Sequence, residues 1–125
     1  MKTKTNIIAL LVVIMCLTAC GQSASKKTVG ITVDFGNGTT KSYSYTTERE
    51  NLGDLLTDEK LIEATKGQYG LFITAVDGVK ADESKEQWWK ITRDGEMVLT
   101  GVSTTVLRDG DKFELTLETG YNTSK

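Results

Sequence analysis

Val29, Ile31, Val33 and Phe35 alternate without a break with Thr28, Gly30, Thr32 and Asp34. Period-two patterning of this kind suits an extended strand with one buried face, because successive side chains of a strand point to opposite sides. Gly36-Asn37-Gly38 follows at once, and Asn-Gly is the strongest short-range hairpin signal, since both residues tolerate positive φ. The returning stretch, Thr39 to Thr46, puts Lys41, Tyr43 and Tyr45 on one face and Ser42 and Ser44 on the other. The folded part therefore opens with a β-hairpin.

A helical period comes next. Leu52, Leu55 and Leu56 recur at i, i+3 and i+4 behind Asn51, a good N-cap residue, and Thr57-Asp58-Glu59 supplies a second start signal before Leu61 and Ile62. One short helix, broken at most into two turns, is expected to pack on the hairpin. Further strands are predicted at Tyr69 to Asp77, Glu86 to Arg93, Val102 to Leu107 and Lys112 to Glu118, with Asp77-Gly78, Asp94-Gly95 and Asp109-Gly110 marking turns. The order hairpin, helix, then mostly antiparallel strands predicts an α+β fold of β-grasp-like kind, with the helix on one face of the sheet.

Within the Glu86 to Arg93 strand two tryptophans stand side by side, so Trp88 and Trp89 cannot both enter one core. Trp89 shares its face with Ile91, while Trp88 shares the other with Lys90 and Thr92. The mixed face is the solvent face, which assigns Trp89 to the core and leaves Trp88 displayed.

The N-terminus carries a separate message. Lys2 and Lys4 precede an apolar run from Ile7 to Leu17, too short to span a bilayer and shaped like an export signal. It ends at Leu17-Thr18-Ala19-Cys20, which resembles the lipobox of bacterial lipoproteins, whose cysteine receives a diacylglyceryl group before cleavage. The chain then divides into a signal peptide at 1–19, a lipidated Cys20 with a small polar tether at 20–27, one domain at 28–118 and a C-terminal tail at 119–125. That places the protein outside the cytoplasm, anchored to the cell membrane through Cys20.

Removing the signal changes the composition that matters. Cys16 leaves with it and Cys20 is spent on lipid, so the mature chain has no disulfide and stability must come from the core. Lys2 and Lys4 leave as well; of 15 Lys plus Arg, 13 remain against 17 Asp plus Glu, a net charge of −4. Nucleic acid is not an expected partner, since phosphate binding wants a basic face.

Trp89 six residues before Gly95, Gly101 six after it, and Asp109-Gly110-Asp111 before a last alternating strand resemble the transcobalamin-like C-terminal domain. The likeness runs from about Thr28 to Leu117. That family supplies the smaller domain of animal cobalamin carriers and occurs in bacterial surface lipoproteins. The resemblance implies a corrinoid as candidate ligand and a membrane transporter as candidate recipient. It also marks a departure, because the animal carriers bury cobalamin between this domain and a large helical one, and the present sequence carries the small one only.

The residues themselves leave alternatives open. Trp88, with Lys90, Tyr43 and Tyr45 within reach, offers a flat apolar surface with a polar margin for stacking on a ligand; the same tyrosines also serve as ordinary strand formers, and Trp88 as cover for a sheet edge. Gly101 suits a bulge or a close backbone approach. Asp109 and Asp111 give two carboxylates where calcium wants six or more oxygens, so a turn is the simpler reading and no metal site is assigned. The chain has no His and no Cys after Cys20, which removes the usual triads, thiol nucleophiles and zinc sites. No enzyme and no required cofactor are expected. The readings that remain are a small-molecule binding module, with a corrinoid as candidate, and a module that grips an envelope protein or surface polymer through the same aromatic patch.

Overall fold

The computed structural model describes residues 25–68 and 70–120. The expected signal peptide, the expected lipidation site Cys20, the first part of the expected tether, Tyr69 and residues 121–125 lie outside the described residues.

The opening hairpin forms as its alternation predicts. Strand β1 (Lys27–Asp34) pairs antiparallel with β2 (Thr40–Thr47) in unbroken register, Val29 opposite Tyr45 and Ile31 opposite Tyr43. The loop is tied by its own side chains: Asp34 Oδ1 accepts the Gly36 N–H at 2.8 Å and Asn37 Oδ1 the Thr39 N–H at 3.0 Å. Gly36 sits at φ +73°, where an added Cβ would stand 2.7 Å from the Leu117 carbonyl oxygen, so both conformation and space demand glycine.

Helix α1 (Leu52–Asp58) starts at Asn51, whose Oδ1 accepts the Asp54 N–H at 2.9 Å, and buries Leu52, Leu55 and Leu56. The second helical start expected at Thr57-Asp58-Glu59 does not form. The Thr57 hydroxyl donates back to the Gly53 carbonyl at 2.7 Å, Lys60 turns to φ +54°, and the Leu61 N–H returns to the Leu56 carbonyl at 3.0 Å, which closes the helix. Ile62 instead begins β3 (Ile62–Gly67), a strand the sequence reading passed over, paired antiparallel with β4 (Gly70–Val76).

Two Asp-Gly pairs make the tight turns assigned to them. Asp77-Gly78 links β4 to β5 (Val79–Lys80) and Asp94-Gly95 links β6 (Gln87–Arg93) to β7 (Glu96–Met97), with φ of 49° and 81° in the first and 50° and 84° in the second. Positive φ at both central residues is what a two-residue hairpin needs. The strand expected at Val102 to Leu107 is replaced by a 3₁₀ turn, Val102–Thr104, and a crossing segment with a single bridge between Asn51 and Val106. The Gly101 carbonyl accepts the Thr104 N–H and the hydroxyls of Thr104 and Thr105, so these threonines fold the chain locally rather than offering it to a neighbour. Strand β8 (Lys112–Thr119) ends the fold.

The strands make two sheets, β2-β1-β8-β6-β7 and β3-β4-β5, with β1 and β8 parallel and every other pair antiparallel. This is the α+β architecture the element order predicted. The inner face of the larger sheet carries Val29, Ile31, Val33, Trp89, Phe113 and Leu115, and the core closes over it with the three helix leucines and with Ile73 and Val76 of β4. Because β1 and β8 run one way and β6 the other, the sheet has two distinct ends. One holds the start of β1, Arg93 and the Asp94-Gly95 turn; the other holds Gly36, Trp88 and the end of β8.

Candidate functional site

Alternation along β6 separates the two tryptophans. Trp89 is 7% exposed, meets Phe35 edge to face with ring centroids 6.4 Å apart, and has a buried indole N–H without a partner. Trp88 is half-buried, and its indole Nε1 donates to the Gly120 carbonyl at 3.0 Å, which turns the ring toward the end of β8. There it helps to line an apolar cleft of about 220 Å³ with Phe72, Ile73 and Thr74 of β4, Ala81, Glu83 and Gln87.

Both strands that border this cleft have an open edge. Strand β5 pairs with β4 at Ala75 and Val76, with one further bond from the Ala81 N–H to the Thr74 carbonyl, and β7 pairs with β6 at Thr92 and Arg93, with one further bond from the Val98 N–H to the Ile91 carbonyl. The two sheets thus meet without a continuous ladder, and the gap between them is bordered by side chains: Phe72, 57% exposed, on one bank and Trp88 on the other. A second hollow of about 140 Å³ continues the seam past Phe72 and both tryptophans to Thr100, Gly101 and Val102. The mouth of the cleft is fixed by Asp82, whose Oδ1 accepts from the Ser84 hydroxyl at 2.6 Å and the Ser84 N–H at 3.0 Å. Those bonds hold its carboxyl below the usual range. Gln87 Oε1 accepts the Asp82 N–H at 3.0 Å, whereas Glu83 joins no ion pair among the described residues.

The other residues assigned to the ligand face do not join Trp88. Lys90 is on the same side of the sheet, but its Nζ is 2.6 Å from Glu118 Oε1 and it borders a shallow polar groove with Thr32, Thr92 and Glu114. Tyr43 and Tyr45 stand opposite Ile31 and Val29 and so share the inner face, across the sheet from Trp88. The reason is register: β2 presents its odd-numbered residues to the core side, and Trp88 belongs to the opposite side of β6. Their rings stack, centroids 5.9 Å apart and planes 6° from parallel. The Tyr43 hydroxyl donates to Asp77 Oδ2 at 2.7 Å, and Lys41 Nζ lies 3.2 Å from the same oxygen. This network ties the edge strand to the Asp77-Gly78 turn. It raises the Tyr43 hydroxyl above its ordinary value and holds the Asp77 carboxyl below its own.

Asp109 and Asp111 are spent inside the fold. Asp109 Oδ1 accepts the Thr28 N–H at 2.8 Å, and Asp111 Oδ2 accepts the Arg108 N–H at 2.8 Å and lies 3.2 Å from Arg93 Nη2. Arg93 also covers the Phe113 ring, 4.8 Å from its centroid. Gly110, at φ +86°, makes the turn between them, and its N–H bonds the Thr28 carbonyl. Gly101 has an ordinary φ of −62°; the close backbone approach expected of it occurs at Gly53, where a Cβ would meet the Val102 and Ser103 backbone at 3.3 Å. Among the described residues no group of three or more His, Cys, Asp or Glu could hold a metal ion.

A family model, domain of unknown function DUF4430, matches residues 50–119, more than half of the chain. The chain belongs to the DUF4430 family. This DUF4430 chain is similar to a candidate metal-binding protein from Ruminococcus gnavus ATCC 29149, known from a 1.30 Å crystal structure. The identity is 46% over 76% of this chain and 99% of that one, with a TM-score of 0.74. It is also similar in fold to haptocorrin in complex with Cbi, at 18% identity and a TM-score of 0.64, over 78% of this chain and 26% of haptocorrin. The chain thus spans about a quarter of haptocorrin, and the likeness to a transcobalamin-like small domain holds at the level of fold. No curated protein sequence matches it.

Sequence reasoning found Trp88 and missed the opposite bank, Phe72, Ile73 and Thr74. The signal was present in the predicted strand through Asp77, where Leu71, Ile73 and Ala75 alternate with Phe72 and Thr74, which leaves Phe72 on the face opposite the core.

Proposed function

We propose that this DUF4430 domain is a non-enzymatic binding module, held outside the cytoplasm by lipid on Cys20, that receives a small molecule over the Trp88–Phe72 cleft and passes it to a membrane transporter. The observation that carries this reading is the cleft itself: two large aromatic side chains face each other across an unpaired seam, with Glu83 and Gln87 as polar groups at the margin. A corrinoid is the ligand class supported by the fold shared with haptocorrin, whose structure contains Cbi. At about 220 Å³ the cleft is smaller than the roughly 300–1,000 Å³ of pockets that enclose a drug-sized ligand, so a corrinoid would be covered on one edge. Forgoing enclosure limits affinity to micromolar or weaker, about 8 kcal/mol or less. A metal is not the ligand favoured here, since Asp109 and Asp111 already have internal partners.

Calorimetry on the soluble domain with cobalamin and with cobinamide tests the reading. Binding is expected to weaken at least about tenfold, roughly 1.4 kcal/mol, in Trp88→Ala and in Phe72→Ala, and to be unchanged in Tyr43→Phe. The second reading, a module that grips an envelope protein or surface polymer, is favoured by one observation: β2 ends the larger sheet as an eight-residue edge without bulge or proline. Heat that stays silent for both ligands up to about millimolar would shift the assignment there.

A further inference from the structure

Among the described residues four large apolar side chains are markedly exposed, and three of them gather at one place: Met97 at 51%, Leu99 at 89% and Val106 at 61%. They border an open hollow of about 450 Å³ with Thr104, Arg93, Arg108 and one carboxylate, Glu96. Arg93 is tied to Asp111 and the Val106 carbonyl, which fixes the floor, whereas Arg108 enters no ion pair among the described residues. A stretch of apolar side chains flanked by two arginines and threonine, with Glu96 as its single acid, has the composition of a surface that settles at a lipid headgroup boundary.

Its position in the fold supplies the occupant. Arg108 adjoins Asp109, whose carboxylate accepts the Thr28 N–H, so the patch borders the point where the N-terminal tether enters the domain. Cys20 precedes the first residue of β1 by seven positions, which limits the distance from lipid to domain to about 25 Å at full extension. That is about the length of β1 itself, so the tethered end cannot leave the neighbourhood of the headgroups, and the Trp88 cleft at the other end of the sheet is carried away from them.

We infer that Met97, Leu99 and Val106 form a membrane-seating patch that rests on the bilayer surface beside the anchor and holds the cleft pointing outward. Arg108 meets lipid phosphate at the rim. The inference rests on the Cys20 anchor of the proposed function and goes beyond it by fixing the orientation of the domain.

Full-length lipidated protein in phosphatidylglycerol–phosphatidylcholine vesicles tests this, with a polarity-sensitive dye on Glu96→Cys beside the patch or on Glu83→Cys at the cleft. With a headgroup nitroxide as quencher, the dye at position 96 should be quenched at least about threefold more than the dye at 83, and Met97→Asp with Leu99→Asp should remove that difference. Both aspartates replace exposed side chains, so the fold should survive, with circular dichroism as the check. Equal quenching at the two positions overturns the inference. So does a difference that survives both aspartates, since the tether alone would then account for it. Protein that fails to sediment with the vesicles removes the anchor and this inference together; protein that sediments with equal quenching removes the inference alone.

Discussion

Replacing each tryptophan by alanine separates the two roles that β6 assigns them. Trp89 is 7% exposed, packs against Phe35, and shares the core with Ile31, Leu115 and the helix leucines. Truncating a buried tryptophan usually costs about 3 to 5 kcal/mol. Its indole N–H, however, is buried without a partner, a defect worth about 1 kcal/mol or more that the truncation relieves. The lower end of the range is therefore expected, about 3 kcal/mol, a large share of the roughly 5 to 15 kcal/mol that hold a domain together. Trp88 is half-buried and loses one hydrogen bond to Gly120 and part of its own apolar burial at the cleft wall, for about 1 to 1.5 kcal/mol. Urea unfolding of the soluble domain followed by circular dichroism should show both midpoints falling with unchanged slope, Trp89→Ala by two to three times as much. In a thermal scan the difference would be about 10 °C. Equal losses from the two variants would refute the face assignment, and with it the placement of Trp88 at the cleft.

Two further outcomes test the anchor and the Tyr43 network. Cys20→Ser should abolish incorporation of a labelled fatty acid in a bacterial host while the wild type carries label; label persisting in the mutant would remove the lipidation site. Because Asp77 titrates lower in the folded state than in the unfolded one, its bond from Tyr43 and its pairing with Lys41 stabilise the fold above about pH 4. That stabilisation fades as pH falls through the folded value, and Asp77→Asn, which tolerates the same φ of 49°, should flatten the acid limb of the stability curve. An acid limb equally steep in that variant would exclude the network as its cause.

The parts of the fold legible in the sequence are those whose information is local. The β1 alternation, the Asn51 cap and the Asp-Gly turns each specify a backbone state within a few residues, and all three form. The errors arose where local signals were ambiguous and a tertiary contact decided. Thr57-Asp58-Glu59 carries the residues of a helix start, yet Leu61 is drawn under the helix into the core, and the chain can reach it by taking Lys60 through a left-handed turn. Val102 to Leu107 reads as a strand by composition, but a strand needs a partner edge. Here the backbone is taken up by the helix start, with the Leu52 N–H on the Thr105 carbonyl and the Leu107 N–H on the Glu50 carbonyl.

The candidate site follows the same division. Parity along a single strand sufficed to part Trp88 from Trp89. Parity could not say which face of β2 meets which face of β6, because that depends on the order β2-β1-β8-β6 and on two registers set by separate stretches of chain. Tyr43 and Tyr45 looked like companions of Trp88 for want of that information. The side chain that faces Trp88 comes from the other sheet, brought there by the Asp77-Gly78 turn and the Ala81 to Gln87 segment, with Asp82 fixing its 3₁₀ turn. A binding surface at a seam between sheets is built from two sequence-distant strands that do not pair. Neither strand's pattern records the other, and only the aromatic that each turns away from the core, exposed Phe72 and half-buried Trp88, marks where they meet.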